Sequence, residues 1–196
     1  MYTPKSFRLE DPALIAQIID ANSFGTLVSH GEGGLLASHL PYEFDATRNV
    51  LRCHMARANP QWRDFGDADL LSIFQDAHGY ISPRWYQKDL IPTWNYVTVH
   101  VYGKARILEN EDDIADLLEK LVAKYDSFQV ADEDRLRIQG AIVAFEIEIS
   151  RIEAKAKMSQ NRSRAEIPGI IAGLEENGQN ELARWVRQLN DDLTLG

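Results

Sequence analysis

The sequence predicts an α+β protein built on a small antiparallel β-barrel of six to seven strands, with flanking helices. Segments with strand-like alternation outnumber the helical segments, and most of them follow one another through short turns. The crossover helices that a parallel Rossmann sheet requires between its strands are missing. The chain has 196 residues, of which 44% are hydrophobic, so it is long enough to bury a substantial core.

The first half of the chain is predicted to contain a helix, a β-hairpin and a strand that leads into a short helix. Apolar residues at helical spacing follow Asp11-Pro12, and the two hairpin strands lie on either side of a glycine-rich turn. Asn59-Pro60 fits a helix N-cap followed by proline at the first helical position. The predicted elements are a helix from 12, strands at 26–29, 35–44 and 50–53, and a short helix at 60–65.

The second half is predicted to alternate strands with helices and to end in a helical region. Its predicted elements are strands at 70–74, 97–107 and 145–158, helices after Asn110 and at 132–139, and a helical region from 163 onward. Between Ile149 and Ile152 the apolar phase slips by one residue, which indicates a β-bulge near Ser150-Arg151. Tryptophan and proline concentrate between 60 and 96, which favours a pocket wall or a subunit interface over a plain core.

Charge limits the classes of function that this chain can serve. A net charge of −9 and an isoelectric point near 5.0 disfavour a broad nucleic-acid-binding surface, and no helix-turn-helix pattern is evident. One local basic cluster is formed by Lys155, Lys157, Arg162 and Arg164. This cluster is either a binding patch or a set of solvated charges on a strand edge.

The sequence also carries expectations about location. No apolar run approaches the roughly 20 residues of a membrane-spanning helix, and the first residues lack the apolar segment of a signal peptide. The single cysteine, Cys53, cannot form an internal disulfide, which is typical of a reducing compartment. We therefore expect a cytoplasmic protein without a membrane partner.

Familiar catalytic motifs are missing. There is no G-x-G-x-x-G, no G-x-x-x-x-G-K-[ST] and no G-x-S-x-G pattern, and the five histidines lack the spacing of a zinc site, so no metal is expected. Cys53 and His54 are neighbours on a predicted strand, where adjacent side chains point to opposite faces. A Cys–His nucleophile pair is therefore disfavoured.

The stretch LRCHMARANPQW at 51–62 is the strongest candidate for a ligand site. A strand end runs into a helix N-terminus with Arg57 between them. Free backbone N–H groups, the helix dipole and the guanidinium group could together hold a phosphate. The alternative interpretation is a surface arginine beside an ordinary helix cap.

Eight short segments, in order along the chain, carry a family resemblance. They are MYTPK at 1–5, GTLVS at 25–29, ASHLP at 37–41, HMARANP at 54–60, YISP at 80–83, PTWNY at 92–96, HVYG at 100–103 and KMSQNR at 157–162. With these segments the sequence resembles the PaiB family, the FMN-binding negative transcriptional regulators.

The resemblance implies an FMN-binding split barrel, related in fold to the pyridoxamine phosphate oxidases, at 1–164, followed by a helical extension at 165–196 that packs on the barrel or on a dimer partner. It also implies a homodimer with FMN at the subunit interface. The residues implied to bind FMN are Ser38, His39, His54, Met55, Ala56, Arg57, Asn59, Asn95, Ser159, Gln160 and Arg162. Of these, Arg57 and Asn59 would take the phosphate, and Asn95 with the Ser159–Arg162 group would complete the pocket, the latter from the other subunit. The alternative for His54 and Trp94 is a satisfied core group.

Three functions are compatible with these observations. The first is an FMN-binding regulator of transcription, a flavin or redox sensor that acts without direct DNA contact. The second is an FMN-dependent oxidoreductase acting on a small molecule, which rests on analogy of fold and identifies no proton donor. The third is a structural dimer that has lost its flavin, which the retention of Arg57, Asn59 and Arg162 argues against.

Overall fold

The computed structural model describes residues 1–86, 91–127 and 131–191. Apart from a short first strand and the division of the C-terminal helical region into two helices, its strands and helices follow one another as the sequence predicts. They are β1 (Arg8–Leu9), α1 (Pro12–Ala21), β2 (Phe24–Gly31), β3 (Gly34–Asp45), β4 (Val50–Ala56), β5 (Leu70–Ile81), β6 (Thr93–Ile107), α2 (Glu111–Ala123), α3 (Asp132–Ala141), β7 (Ile142–Lys157), α4 (Ile167–Glu176) and α5 (Asn180–Gln188).

The strands form one sheet of seven, in the order β1-β7-β4-β3-β2-β5-β6, and β6 also pairs with β7. Strands β2 to β7 therefore pair in a closed ring, and β1 adds to β7 alone. The registered pairs β1–β7, β2–β3, β2–β5, β3–β4 and β4–β7 are all antiparallel. The predicted fold class, an antiparallel barrel with flanking helices, is confirmed.

Two helix caps that the sequence predicts are present. The side-chain oxygen of Asn59 accepts a hydrogen bond from the N–H of Gln61 (3.0 Å) and begins a 3₁₀ helix at Pro60–Asp64. The side-chain oxygen of Asn110 accepts from the N–H groups of Asp112 and Asp113 (2.8 and 3.2 Å) and begins α2. Each cap satisfies backbone donors that a helix cannot satisfy by itself.

Two segments differ from the prediction. Strand β5 runs on to Ile81 because α5 packs against it: a Cβ on Gly79 would lie 2.2 Å from the side-chain oxygen of Gln179 and 2.8 Å from a methyl group of Leu182. Such tertiary contact overrides the weak strand propensity of the polar residues around Gly79. The C-terminal region is two helices rather than one, because Gly178 adopts a φ of +72° after α4 and ends it.

The chain divides into two compact units. The hairpin unit comprises 12–74 and 100–152, and the terminal unit comprises 1–11, 75–99 and the residues from 153 onward. Strands β5, β6 and β7 each continue from one unit into the other. No helix in the described part of the chain is long and apolar enough to cross a membrane.

The hairpin unit has an aromatic and aliphatic core. Tyr42 and Phe74 meet edge to face with ring centroids 5.1 Å apart, and Phe65 and Phe145 do so at 4.7 Å. Helix α2 covers a second apolar cluster, made of Leu108, Leu117, Leu121, Ile142 and Ala144. This cluster holds α2 against the first residues of β7.

Arg52 is a charged residue buried in the hairpin unit, with 2% of its surface exposed. Its Nη1 donates to Glu43 (3.2 Å) and Asp116 (2.7 Å), and its Nη2 donates to the carbonyl of Asp113 (2.8 Å). The hydrogen bond from Arg52 is the main reason why the pKa of Asp116 lies below its usual value. These bonds join α2 to β3 and β4, and they compensate the cost of burying the guanidinium.

Glu146 is compensated in the same way. It is buried on β7, and its two side-chain oxygens accept from Arg48 (2.9 Å) and Arg106 (2.6 Å). Burial alone would raise the pKa of Glu146, but the bonds from the two arginines outweigh it, so the pKa is lowered. Arg52 and Glu146, the buried charges among the described residues of this unit, thus each lie beside two groups of opposite sign.

The terminal unit is held together by contacts of its helices. Trp85 packs on α4 at two glycines: a Cβ on Gly173 would lie 2.3 Å from the indole ring, and a Cβ on Gly169 would lie 2.6 Å from the Trp85 carbonyl. The buried Asn190 donates to the carbonyls of Met158 (3.0 Å) and Val186 (2.7 Å). Asn190 thereby joins the end of α5 to the residue that follows β7.

The replacement Gly173→Ala tests the packing of Trp85 on α4. We expect it to lower the free energy of unfolding by about 1–3 kcal/mol, because the new methyl group overlaps the indole. The control is Gly140→Ala in α3, where a Cβ meets nothing within 4 Å; helix propensity there predicts a gain of up to about 1 kcal/mol. Urea denaturation measures both, and equal stability of Gly173→Ala and wild type would contradict the packing argument.

Candidate functional site

Arg57 follows the last residue of β4 and is anchored to the chain around the junction of α3 and β7. Its backbone N–H donates to the carbonyl of Ala141 (2.9 Å), its Nε to the carbonyl of Gly140 (3.0 Å) and its Nη2 to the carbonyl of Ile142 (2.7 Å). A guanidinium at this position complements the negative end of the α3 dipole. Nη1 makes no hydrogen bond to a described residue, so one face of the group can still bind an anion.

Asn59 links the short 3₁₀ helix to the hairpin. Its oxygen serves as the helix cap, and its Nδ2 donates to the hydroxyl of Ser38 (2.8 Å). Both ends of the Asn59 side chain are therefore occupied within the protein. The Ser38 hydroxyl accepts from Asn59 and keeps its own proton for a further acceptor.

Two pairs of neighbouring residues are divided between the faces of their strands. His39 lies on the face opposite Ser38, where its Nδ1 contacts the hydroxyl of Thr26 (3.0 Å). Met55 lies on the face opposite His54 and belongs to the core, with 2% of its surface exposed. The register of β3 and β4, with Tyr42 opposite Cys53, puts His54 on the face of His39 and Met55 on the face of Ser38. Ser38 and His54 are half-buried and therefore more accessible to a ligand than Met55 is.

His54 carries a buried polar atom that the protein leaves without a partner. Its Nδ1 is buried and makes no hydrogen bond within the described part of the chain. Burial also lowers the pKa of the His54 imidazole below its usual value, which favours the neutral form. A buried ring nitrogen without a partner costs free energy unless a ligand or water satisfies it.

The other predicted site residues lie in the terminal unit. The buried Asn95 donates through Nδ2 to the hydroxyl of Ser159 (3.0 Å), and Ser159 adopts a φ of +67°, which non-glycine residues adopt only at a cost. Gln160 is bound to its own backbone neighbourhood, since its oxygen accepts from the N–H of Met158 (2.6 Å). The guanidinium of Arg162 lies 4.1 Å from the centre of the Tyr86 ring.

The structure thus places the predicted residues in two groups. The hairpin unit holds Ser38, His39, His54, Met55, Ala56, Arg57 and Asn59, and the terminal unit holds Asn95, Ser159, Gln160 and Arg162. Within the first group Ser38 contacts Asn59, and within the second Asn95 contacts Ser159. Trp94, the alternative core residue, is exposed and contacts Tyr80 with ring centroids 6.2 Å apart.

Two residues near these groups have roles that the sequence pattern did not indicate. Gln61 is buried, and its Nε2 lies within hydrogen-bonding distance of the Leu27 carbonyl, the Ser29 hydroxyl and the Leu36 carbonyl (3.1–3.3 Å). Lys155 is only 7% exposed. The interpretation of Lys155 as a solvated charge on a strand edge is therefore wrong. Its close spacing to Lys157 and Arg162 was the available signal.

Comparison with known proteins identifies relatives of the whole chain. The family described as "Putative FMN-binding domain" matches residues 1–151. The protease synthase and sporulation protein PAI 2 of Bacillus subtilis is 37% identical to this chain over 98% of this chain and 97% of its own. The uncharacterized protein AN0679 of Emericella nidulans is 28% identical, over 85% of this chain and 87% of its own.

Solved structures share the fold at low sequence identity. The FAD and heme binding protein from Mycobacterium smegmatis has a TM-score of 0.65 at 12% identity, over 82% of this chain and 78% of its own. The flavocytochrome Anf3 from Azotobacter vinelandii has a TM-score of 0.63 at 13% identity, over 77% of this chain and 69% of its own.

The fold and the family match together define an FMN-binding split-barrel protein. The chain belongs to the PaiB family, and the predicted resemblance is confirmed. The prediction that the cofactor is FMN is confirmed at the level of this family.

The residues at the end of β4 fit a flavin with a phosphate group. Nη1 of Arg57 and the hydroxyl of Ser38 can donate to phosphate oxygens. The unpartnered Nδ1 of His54, on the opposite face of the sheet from Ser38, can bond to a polar atom of a ring system. No carboxylate of the described chain forms an ion pair with Arg57. A phosphate that binds Arg57 would therefore not have to displace a carboxylate.

The titration of His54 checks its burial. We expect its ring signals in NMR to titrate below the usual pKa of about 6.5. Since the unfolded chain then binds the proton more readily than the folded one, His54 lowers stability progressively as the pH falls below about 6.5. His54→Gln assigns the signals and removes this component, and a pKa of about 6.5 or higher for His54 would contradict the buried, neutral imidazole.

Proposed function

We propose that the protein binds FMN with the residues at the end of β4 and acts as a flavin-dependent regulator that does not itself contact DNA. The observation that carries the proposal is the buried Nδ1 of His54, which has no partner, three positions before the partly occupied guanidinium of Arg57. The family of the chain supplies the identity of the ligand.

In this proposal each side chain has a separate task. Arg57 and Ser38 hold the phosphate, Asn59 fixes the hydroxyl of Ser38, and His54 binds the flavin ring. Bound FMN would supply a centre that takes up or releases electrons. Met55 supports the strand from the core side rather than contacting the ligand.

Charge supports a regulator that works through another molecule than DNA. The chain carries a net charge of −9. Helices α4 and α5 are joined by a three-residue turn at 177–179, but the exposed arginines of α5 are paired: Arg184 contacts Glu181 (3.4 Å) and Arg187 contacts Glu175 (2.8 Å). A recognition helix needs basic groups that are available to phosphates.

A regulatory role also agrees with the name of a relative. The B. subtilis protein, which is 37% identical, is named as a protease synthase and sporulation protein. We infer that the present chain serves a comparable regulatory purpose, with the flavin as the group that senses redox state or flavin supply.

We also propose that the protein is a homodimer that pairs through the outer face of the β2–β3 hairpin. On this face the register places Phe24 opposite Pro41, Val28 opposite Ala37 and His30 opposite Leu35. Phe24 and Leu35 are 68% and 72% exposed, which is unusual for large apolar side chains grouped on one face. A second copy of the chain would cover them.

The dimer would bring the two groups of site residues into one pocket. His39 lies on the proposed interface face, and Asn95, Ser159, Gln160 and Arg162 are proposed to reach the flavin from the partner subunit. This arrangement accounts for the four terminal-unit residues without requiring them to meet the end of β4 within one chain.

The second candidate function is an FMN-dependent oxidoreductase. The observation that favours it is the neutral imidazole of His54, which can hold or release a proton beside a reduced flavin. Oxidation of NADH or NADPH by the FMN-loaded protein, with turnover that falls in His54→Gln, would favour the enzyme. Absence of turnover with intact FMN binding would favour the sensor.

The test of the flavin site is a titration of the apoprotein with FMN, in which binding is measured from the visible spectrum of the flavin. We expect saturable binding that Arg57→Ala weakens about tenfold or more, because a charge-assisted hydrogen bond is lost. The control is Arg63→Ala, which removes an exposed arginine whose guanidinium lies 5.4 Å from the Trp62 ring. Equal weakening by both replacements, or no binding by the wild type, would contradict the proposed site.

The proposed dimer is tested by the replacement Leu35→Asp. We expect it to convert a dimer into a monomer in analytical ultracentrifugation, because it places a charge in the apolar interface. Ile91→Asp is the matched control, since Ile91 is 67% exposed and lies in the terminal unit. A monomeric wild type, or a Leu35→Asp variant that stays dimeric, would refute this interface.

A further inference from the structure

The terminal unit contains a group of cations that we call the lysine cluster: Lys155, Lys157 and Arg162. Lys155 and Lys157 are two positions apart on β7 and therefore lie on one face of the strand. Lys155 is 7% exposed, and its Nζ lies 5.1 Å from the Tyr96 ring centre and 5.8 Å from that of Tyr2. Aromatic faces thus shield the first lysine from water.

The two lysines bond only to neutral oxygens within the described chain. Nζ of Lys155 donates to the carbonyl of Tyr2 (3.1 Å), and Nζ of Lys157 donates to the hydroxyl of Thr93. An ammonium group has three N–H donors, so two on each lysine remain for another acceptor. The carboxylate of Glu153, nearby on the same strand, contacts the N-terminal ammonium of Met1.

This arrangement differs from the treatment of buried charge in the hairpin unit. There, Arg52 contacts two carboxylates and Glu146 contacts two guanidinium groups. Neither Lys155 nor Lys157 forms an ion pair with any carboxylate of the described residues. Buried or half-buried charges without an opposite charge are costly, and the cost rises when like charges are grouped. An anionic ligand would remove it.

The electrostatics of Lys157 support the closeness of the three cations. Its pKa is lowered first by burial and then by repulsion from Lys155 and Arg162. Arg162 is itself positioned by the Tyr86 ring, and its backbone N–H donates to the carbonyl of Ser159 (2.8 Å). Folding therefore gathers three positive groups at one place rather than dispersing them.

We propose that the lysine cluster is a binding site for the phosphate of a phosphate monoester, with Lys155 and Lys157 as the principal donors. A phosphate dianion offers three terminal oxygens for the unused N–H groups of the lysines and compensates more charge than a carboxylate does. The hydroxyl of Thr93 accepts from Lys157 and can donate its own proton to the same ligand. The site does not depend on flavin binding at the end of β4.

The test of the site is a calorimetric titration of the apoprotein with inorganic phosphate at constant ionic strength. We expect wild type to bind phosphate. We expect Lys157→Met to bind it at least about tenfold more weakly, as loss of a charge-assisted bond predicts. Lys157→Arg keeps the charge and should retain most of the affinity. Lys104→Met is the matched control, because it removes an exposed lysine from β6 in the hairpin unit.

Thermal unfolding in chloride shows that the variants are folded. Lys157→Met should be at least as stable as wild type without phosphate, because it removes a half-buried, unpaired charge, and should gain less stability from phosphate. Equal phosphate affinity in wild type and Lys157→Met, or no phosphate binding by the wild type, would overturn the proposal. Equal weakening by Lys104→Met would reduce the effect to net charge and would overturn it too.

Competition between FMN and riboflavin on one side and inorganic phosphate on the other identifies the source of the phosphate. If FMN displaces phosphate and riboflavin does not, the cluster holds the phosphate of the flavin, and the assignment of that phosphate to Arg57 and Ser38 fails. If FMN and phosphate bind together, the cluster takes a separate phosphorylated compound. Both results support the site. If FMN does not bind at all while phosphate does, the proposed flavin function fails and the lysine cluster stands.

Discussion

The pairing of strand β7 is the constraint on which the other contacts depend. This strand of 16 residues pairs with β4 from Ile142 to Glu148, with β1 at Ala154 and Lys155, and also with β6. Its register places Glu146 opposite Arg52 and so brings the buried charges of the hairpin unit to one part of the sheet. Because side chains alternate along a strand, a shift of one residue would turn every one of these groups to the wrong face. Two consecutive exposed residues, Ser150 and Arg151, lie where β7 approaches the boundary of the two units, at the position where the sequence shows a slip in phase.

Buried charges have different partners in the two units. In one unit they stabilise the fold, and in the other they are available to a ligand. In the hairpin unit each buried charge contacts partners of opposite sign, so it stabilises the packing of α2 and of the strands. In the terminal unit the two lysines of the cluster donate hydrogen bonds to neutral oxygens only, among the residues that the structure describes. The first arrangement satisfies the needs of the folded chain. The second leaves positive charge without an opposite charge, which an anionic ligand can supply. The unpartnered nitrogen of His54 likewise leaves one polar atom for a ligand to bind.

Local patterns in the sequence were sufficient for much of the fold. The caps at Asn59 and Asn110 follow from short-range chemistry, and the antiparallel order follows from strands that succeed one another through turns. The site residues contact residues that are distant in the sequence, and local patterns cannot predict such contacts. Arg57 is adjacent in sequence to a helix cap, yet its guanidinium contacts carbonyls more than 80 positions further on. Lys155 is buried beside Tyr2 and Tyr96, which are distant in the chain, so the sequence left open whether its cluster is a binding patch or a set of solvated charges.

The terminal unit is built from segments that are far apart in the sequence. This determines when it can fold during translation. The β2–β3 and β3–β4 pairings of the hairpin unit are local, so they can form while translation continues. The terminal unit instead pairs Arg8 with Lys155 and packs Trp85 on α4. It therefore cannot close until the segment from 153 onward has left the ribosome. The first residues cannot pair until β7 has been synthesised, and the lysine cluster can form only after the chain has been extended to Arg162.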